Sequence, residues 1–258
     1  MARHPATTVR GFLERNVRVA AYQAPLLPCG SLEAIDLIRT RVGWCESQGV
    51  EILCCPEAVL GGLADNAARP ADFAIDVESG QLGAALAPLA SDTVTTILGF
   101  TEMSGTGELY NSAAVFHKGA VVGVYRKLHP AIRKSIYCAG DQRPVFRAGG
   151  LTFGIVICND SNYSEPARTM ANQGATALFV PTNCALPVER ADVVGDERKA
   201  DIARARGNGM WVIRADIAGR TGDLVSYGSS EIVNPDGMVV QSTPPLTEAL
   251  IVADLGWS

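Results

Sequence analysis

The chain has 258 residues, of which 47% are hydrophobic and 19% are charged, and its formal net charge at pH 7 is −5. These proportions are typical of a globular protein with a large core, and the negative charge argues against nucleic acid or an anionic membrane surface as the main partner. No apolar run approaches the roughly 18 residues that a membrane-spanning helix needs, so we expect no contact with a membrane.

The first half of the chain predicts strands that alternate with helices. Residues 17–24 are an apolar run of strand length, and residues 31–48 predict a helix whose start Ser31 is able to cap. Residues 50–55 are continuously apolar, as expected for a strand that is buried on both faces. We further predict a helix over 79–90 and strands over 93–100, 111–117 and 120–125. Lys118-Gly119 joins the last two strands as a hairpin.

The second half continues this alternation. Residues 151–157 predict a buried strand, and residues 165–173 predict a helix with Pro166 in its first turn. We also predict a strand over 177–180, a helix over 188–209, a strand over 211–215 and further strands from Ser229 on. The mixture of β-α-β units and hairpins favours a layered α/β fold over a purely parallel sheet. We divide the chain into an N-terminal tail, residues 1–16, and a single domain, residues 17–258.

A run of mixed charge lies within the predicted helix over 188–209. Its charged residues are Asp192, Asp196, Glu197, Arg198, Lys199 and Asp201. Closely spaced charges of both signs usually mark the solvated face of a helix. We therefore predict that this run faces water.

Several common functional motifs are absent from the sequence. It contains no G-x-G-x-x-G, no G-x-x-x-x-G-K-[ST], no H-E-x-x-H and no C-x-x-C. Its three histidines leave few candidates for a metal site or for the base of a Cys–His pair. Its seven cysteines lack the spacing of a disulfide framework, which indicates a reducing compartment. We therefore expect a cytoplasmic protein without a metal or other cofactor.

Glu57, Lys127 and Cys158 each follow a predicted strand closely, and active sites of α/β folds gather at such strand ends. A cysteine nucleophile needs a base, which a buried carboxylate provides, and acyl transfer needs positive charge or N–H donors where the oxyanion forms. Lys127 and the backbone N–H of Asn159 are suited to the second task. Each residue alone also fits a structural role, Glu57 in a turn, Lys127 as a solvated strand end and Cys158 as packing.

Three segments around these residues resemble the signature segments of the nitrilase (carbon–nitrogen hydrolase) superfamily in order and spacing. They are CPEAVLGG, YRKLHP and GIVICNDSNYSEPAR. Further matches are Tyr110-Asn111-Ser112-Ala113, Pro181-Thr182-Asn183 and Gly228-Ser229-Ser230. The resemblance implies a four-layer α-β-β-α sandwich with mixed sheets. It also implies that sandwiches pair, giving a homodimer or a higher homo-oligomer.

The resemblance further implies a Glu–Lys–Cys triad. In this chain Glu57 would be the general base, Lys127 the oxyanion stabiliser and Cys158 the nucleophile that forms a thioester. Ammonia or an amine would leave, and water would then hydrolyse the thioester. Asn183 falls where the superfamily often places a residue that lines the substrate pocket.

The chain departs from the superfamily's pattern in several places. No carboxylate follows Lys127 before Asp141, although the superfamily usually has an additional glutamate there. Asn159 replaces the commoner aromatic residue, which alters the pocket wall, and Ser164 replaces a proline. We interpret Glu165 as a residue at a helix start with a structural partner rather than as a substrate ligand.

Taken together, these features predict an amidase-like hydrolase that cleaves the non-peptide carbon–nitrogen bond of a small amide through a cysteine thioester. Hydrolysis of a nitrile or of an N-carbamoyl amide is the alternative within the same chemistry. A non-catalytic binding protein that retains the fold is an alternative of a different class, and only the missing glutamate favours it. The expected partner of the enzyme is a small-molecule amide or nitrile substrate.

Overall fold

The computed structural model describes residues 16–130, 135–188 and 194–256, with side chains in the last range described from residue 198 on. Residues 1–15 of the predicted tail therefore lie outside the described residues, as do Asp192 and the side chains of Asp196 and Glu197. The division into a tail and a single domain stays a prediction. None of the described helices is long and apolar enough to cross a membrane.

The described residues form four α-helices and seventeen strands. The helices are α1 (Glu33–Ser47), α2 (Gln81–Leu86), α3 (Ser164–Asn172) and α4 (Val194–Asn208). The strands are β1 (Val17–Pro25), β2 (Ile52–Cys54), β3 (Ile75–Asp76), β4 (Thr95–Met103), β5 (Leu109–His117), β6 (Ala120–Arg126), β7 (Tyr137–Cys138), β8 (Val145–Ala148), β9 (Leu151–Ile155), β10 (Ala177–Pro181), β11 (Leu186–Pro187), β12 (Trp211–Ala215), β13 (Ile217–Thr221), β14 (Leu224–Tyr227), β15 (Glu231–Val233), β16 (Val239–Ser242) and β17 (Ala249–Leu255).

The first sheet is built around β1. Its strand order is β11-β14-β13-β1-β2-β4-β5-β6, with β17 antiparallel along β1, β3 paired with β4 and β7 paired with β5. Strands β1, β2 and β4 are parallel. The predicted hairpin is confirmed, since β5 and β6 pair with His117 opposite Ala120. Lys118 and Gly119 have φ angles of 49° and 75°, as the favoured two-residue hairpin turn requires.

The second sheet has the strand order β16-β15-β12-β10-β9-β8. Strands β9, β10 and β12 are parallel, so the carboxyl ends of β9 and β10 lie at the same edge. Helix α3 packs very closely on β9, because a Cβ on Gly154 would lie 2.4 Å from the sulfur of Met170. Helix α4 packs on β12.

Alternation along β1 shows how the layers form, since successive strand residues point to opposite faces. Val19 and Ala21 belong to a core shared with the second sheet. Ala20 and Tyr22 belong to a second core, shared with α1 and α2. With α3 and α4 on the far side of the second sheet, the layers run helix, sheet, sheet, helix. The predicted four-layer sandwich with mixed sheets is confirmed.

Some predicted boundaries differ from the structure. The strand predicted over 151–157 ends at Ile155, because the chain leaves the sheet and forms a 3-10 helix over Cys158–Asn162. The helix predicted over 79–90 is shorter, and a 3-10 turn that contains Pro88 follows α2. The hairpin of β13 and β14 was not predicted, because its glycines and polar residues interrupt the apolar pattern.

The prediction that the mixed-charge run faces water is wrong for Asp201. Its side chain is fully buried and accepts a hydrogen bond from Nε of Arg214 on β12. Lys199 is exposed, as predicted. The pattern failed at Asp201 because a helix that covers a sheet turns one face inward, and there a buried guanidinium requires a carboxylate partner.

Candidate active site

Glu57 lies in a tight turn after β2, and its carboxylate is buried. Oε1 accepts hydrogen bonds from Nζ of Lys127 at 2.6 Å and from Nδ2 of Asn111 at 2.7 Å. Oε2 accepts one from the backbone N–H of Asn183 at 2.9 Å. The backbone N–H of Glu57 donates to the carbonyl of Thr182 at 3.2 Å. Partners from both sheets therefore hold this side chain in one orientation.

The turn that carries Glu57 passes very close to β4. A Cβ on Gly99 would lie 2.4 Å from the nitrogen of Ala58 and 2.6 Å from the carbonyl oxygen of Pro56. Ala58 itself has a φ of 46°, in the left-handed region. Only a glycine at position 99 allows this approach. Gly99 was not among the residues predicted from the sequence, although a glycine within an apolar strand is a sign of close backbone contact.

Lys127 follows β6 and is only 3% exposed. Its backbone N–H donates to the carbonyl of Asn111 at 2.8 Å, which joins it to β5. Burial alone would lower the pKa of Lys127, but the negative charges of Glu57, Cys158 and Asp160 outweigh burial and hold this pKa above its ordinary value. Lys127 therefore stays protonated at neutral pH.

Cys158 is the first residue of the 3-10 helix Cys158–Asn162, three residues after β9 ends at Ile155. Its side chain is half-buried and packs against the core between the sheets. Its φ is 45°, a backbone conformation that residues with a Cβ rarely adopt. Strain of this kind persists only where the surrounding structure imposes it, and it is concentrated at functional sites.

Asp160, in the same 3-10 helix, joins that helix to the segment after β6. Oδ2 accepts hydrogen bonds from the Tyr125 hydroxyl at 2.8 Å and the N–H of Ile157 at 3.1 Å, and Oδ1 accepts one from the N–H of His129 at 2.7 Å. Burial raises the pKa of Asp160, against the opposing charge of Lys127 and these hydrogen bonds. Asp160 was not among the site residues predicted from the sequence. Its place two residues after a cysteine at a strand end was the available signal.

The two asparagines predicted to assist the triad occupy different positions. Nδ2 of Asn159 donates to the carbonyl of His129 at 3.1 Å, so this side chain also braces the segment after β6. Asn183 binds Glu57 through its backbone, and its Oδ1 accepts a hydrogen bond from the N–H of Ala185 at 3.2 Å. Asn183 also lines a cavity. That it contacts the substrate there stays a prediction.

This cavity has a volume of about 490 Å³. Ala58 and Asn183, which adjoin Glu57, form part of its wall, together with the loop after β1 and residues 221–224. The apolar part of the wall includes Leu26, Leu27, Val59, Leu63, Ile217 and Leu224. Glu57, Lys127 and Cys158 are not lining residues, and the cavity adjoins Glu57 through Ala58 and Asn183.

Two further carboxylates bear on the departures from the superfamily pattern. Glu165, at the start of α3, accepts a hydrogen bond from Nε of Arg143 at 3.0 Å, which confirms the predicted structural partner. Asp65 accepts hydrogen bonds from Oγ of Ser135 and the N–H of Ile136, both at 2.9 Å. Ser135 and Ile136 directly follow residues 131–134, which lie outside the described residues. The loop after Glu57 thus brings a carboxylate to the segment in which the sequence lacks one.

A buried carboxylate and a buried ammonium group are thus in direct contact, and the ammonium group interacts electrostatically with the Cys158 thiol. These are the groups that acyl transfer to cysteine requires. Among the residues that the structure describes, no three His, Cys, Asp or Glu side chains are placed to hold a metal ion.

A model of the carbon–nitrogen hydrolase family matches residues 18–257. The chain is 32% identical over 269 residues to a protein of Pseudomonas protegens named hydrolase in pqqF 5′ region, with 99% of this chain and 90% of that protein covered. It is 29% identical to an (R)-stereoselective amidase of Pseudomonas sp., with 80% of this chain and 74% of the amidase covered.

Solved structures of an amidase from Nesterenkonia sp. are also similar. One has a TM-score of 0.80 at 26% identity and covers 96% of this chain and 92% of its own. Another is a variant of the amidase from Nesterenkonia sp. AN1, with a TM-score of 0.79 at 26% identity and 93% of each chain covered. It shows acrylamide added to the active-site cysteine by Michael addition.

Proposed function

The chain belongs to the carbon–nitrogen hydrolase family, and from this membership we propose that it hydrolyses the carbon–nitrogen bond of a small non-peptide amide through a thioester on Cys158. Glu57 is the general base, and Lys127 stabilises the oxyanion. The observation that carries the proposal is the buried contact of 2.6 Å between Lys127 and Glu57, together with the electrostatic interaction of Lys127 with Cys158.

Each step of the proposed reaction is assigned to one of these residues. Glu57 takes the thiol proton as the sulfur of Cys158 attacks the carbonyl carbon, and a carbon–sulfur bond forms. Lys127 and the backbone N–H of Asn159 stabilise the oxyanion. The carbon–nitrogen bond then breaks, and the leaving nitrogen takes the proton from Glu57.

The thioester is resolved by the same base. Glu57 takes a proton from a water molecule that attacks the thioester carbon, and a second oxyanion forms beside Lys127. The carbon–sulfur bond breaks, the thiolate regains a proton, and the carboxylic acid leaves. The net reaction consumes one water molecule and yields the acid with ammonia or an amine.

The surroundings of Glu57 support its role as the base. Asn111 and the N–H of Asn183 hold the carboxylate from two sides, which fixes its direction before the substrate binds. A catalytic group that is already oriented needs no reorganisation in the reaction, and orientation of this kind supplies a large part of enzymatic rate enhancement.

We assign the acyl side chain of the substrate to the cavity that Asn183 and Ala58 border. Its wall is largely apolar, and its volume of about 490 Å³ suits a small organic group. An amide with an apolar acyl group is therefore the preferred substrate. The amidases among the similar proteins agree with this class of bond.

The test is the release of ammonia or amine from a panel of aliphatic amides, nitriles and N-carbamoyl compounds, with intact-mass detection of the acyl-enzyme. Cys158→Ala and Glu57→Gln are the test variants. Cys138→Ala is the matched control, because Cys138 is also half-buried and is not part of the proposed triad. We expect amide turnover and an acyl adduct in the wild type and in the control, and neither in Cys158→Ala.

The alternatives give different results in the same panel. If a nitrile or a carbamoyl compound is turned over faster than every amide, that compound replaces the amide as the proposed substrate. Saturable binding of an amide without turnover or adduct would favour a binding protein that retains the fold. Turnover that persists in Cys158→Ala would contradict the proposed nucleophile.

A further inference from the structure

Arg214 has a fully buried guanidinium, and it was not among the site residues predicted from the sequence. It projects from β12, and its Nε donates to the buried carboxylate of Asp201 on α4. Nη1 donates to Oγ1 of Thr182 at 2.9 Å, and Nη2 donates to Oγ of Ser161 at 3.4 Å. One planar group therefore contacts three separate parts of the chain.

Two of these parts carry the proposed catalytic groups. Ser161 belongs to the 3-10 helix that begins at Cys158. The carbonyl of Thr182 accepts a hydrogen bond from the backbone N–H of Glu57 at 3.2 Å. The next residue, Asn183, donates a hydrogen bond from its backbone N–H to the Glu57 carboxylate at 2.9 Å. Arg214 thus contacts the 3-10 helix of Cys158 directly, through Ser161. It also contacts Thr182, whose backbone binds that of Glu57.

Neutralising the buried charge does not by itself explain this arrangement. A buried arginine requires a carboxylate partner, and Asp201 meets that requirement. The two hydroxyl contacts are additional, and the rigid fork of the guanidinium sets the distance between their acceptors. A lysine ammonium, as a compact point charge on a flexible stem, would not impose the same geometry.

We propose that Arg214 is a positioning residue that sets the Cys158 turn relative to the Glu57 carboxylate, acting through Ser161 and Thr182. Asp201 orients the guanidinium for this task. The proposal rests on the proposed function in one respect, since it takes Cys158 and Glu57 to be the nucleophile and the base. The guanidinium contacts described above are with Asp201, Thr182 and Ser161 rather than with the side chains of Cys158 or Glu57.

The test removes the two contacts while it leaves the buried ion pair intact. The variants are Ser161→Ala, Thr182→Val and the double variant, with Arg214→Lys as the conservative change at the arginine. Ser226→Ala and Thr96→Val are matched controls, because both residues are fully buried and neither lies in the proposed site. Melting temperature, the rate of Cys158 alkylation by iodoacetamide, and kcat and KM on the best amide are measured for each.

We expect each single variant to lower kcat and the Cys158 alkylation rate about tenfold, the scale of one lost hydrogen bond, with KM changed less than twofold. Melting temperatures should match those of the controls. Because both contacts act through one guanidinium, the double variant should be little slower than the slower single variant. Arg214→Lys should show the same loss, since the positive charge remains but the fork does not.

Alkylation and turnover at the rates of the controls in both single variants would overturn the proposal. Losses that appear only with a lowered melting temperature, or that multiply in the double variant, would also overturn it. If the wild type releases no ammonia or amine from any amide, the proposed function fails. The alkylation series then still decides whether Arg214 positions Cys158.

Discussion

Lys127 and Glu57 carry opposite charges in a place where water reaches neither, since they are 3% and 1% exposed. Removing two such charges from water is costly, and their attraction offsets that cost only with good geometry and further hydrogen bonds. Asn111 and the N–H of Asn183 provide those bonds to Glu57. A protein that needed only stability would do as well with apolar side chains here.

We therefore predict that Lys127→Met slows acylation by at least about a hundredfold, because a lost oxyanion contact costs about 3–4 kcal/mol. Lys127→Arg should restore little of the acylation rate, since a guanidinium is wider than the buried ammonium that contacts Glu57. Mass spectrometry of the acyl-enzyme in a single turnover gives the rate, and melting curves show whether the variants fold. A folded Lys127→Met protein that acylates at the wild-type rate would refute the role of the lysine.

Glu231 gives a prediction about stability and pH. Burial, then the nearby negative charge of Asp201, raises the pKa of Glu231 to about 7, with Arg214 and Arg198 acting in the opposite direction. The folded state keeps the proton up to about pH 7, whereas the unfolded chain releases it near the ordinary value of 4.5. Stability should therefore fall as the pH rises from about 4.5 through 7, by up to about 3 kcal/mol.

Urea unfolding at pH 5 and pH 8 measures this difference. In Glu231→Gln the free energy of unfolding should fall less between pH 5 and pH 8, because the amide side chain does not titrate. Glu33→Gln is the control, since Glu33 is exposed on α1 and should leave the dependence unchanged. An unaltered pH dependence in Glu231→Gln would show that another group is responsible.

At the scale of elements, the proposed site depends on how short turns are held rather than on the strands alone. Asp160 ties the 3-10 helix of Cys158 to the segment after β6, and Gly99 allows the Glu57 turn to lie against β4. Neither residue is proposed to touch the substrate. Each of them positions a side chain that is proposed to act on the substrate.

Gly99→Ala should therefore destabilise the protein by about 2 kcal/mol and lower activity, because its Cβ would fall within 2.7 Å of backbone atoms of the Glu57 turn. Gly43→Ala is the matched control. Gly43 lies on the exposed side of α1 with open space around it, and an alanine there should stabilise the helix by up to about 1 kcal/mol. Urea unfolding and amide turnover are the measurements. A Gly99→Ala protein as stable and active as the wild type would mean that the Glu57 turn tolerates displacement.

At the scale of the molecule, the sandwich brings together chain segments that are far apart in sequence. Glu57 and Lys127 come from the first sheet, and Cys158 and Asn183 follow strands of the second sheet. Because the two sheets pack face to face, their strand ends meet along one edge. The proposed site therefore exists only when both sheets are folded and packed.

The predicted homo-oligomer is a property of this scale and stays a prediction, as does the cytoplasmic location. The family resemblance implies that two sandwiches pair. Light scattering at micromolar concentration should give a mass of at least twice the 27.2 kDa of one chain. A mass of one chain across the concentration range would contradict it.

Much of this protein could be predicted from its sequence alone. Long apolar runs located β1, β9 and β10, and the reactive residues at the ends of such runs identified Glu57, Lys127 and Cys158 as candidates. Local patterns suffice for these features, because the burial of a strand and the turn after it depend on a few adjacent residues. The family motifs then implied the four-layer sandwich, and the structure confirmed it.

Only the tertiary structure decided which side chains meet. The contact of Lys127 with Glu57, the burial of Asp201 beside Arg214 and the role of Asp160 all join residues that are distant in the chain or that lie on faces whose partner is unknown from sequence. Periodicity shows that one face of a helix is polar, but it does not show which buried charge lies opposite. Such contacts depend on how the two sheets and their helices pack, and that packing is a property of the whole chain.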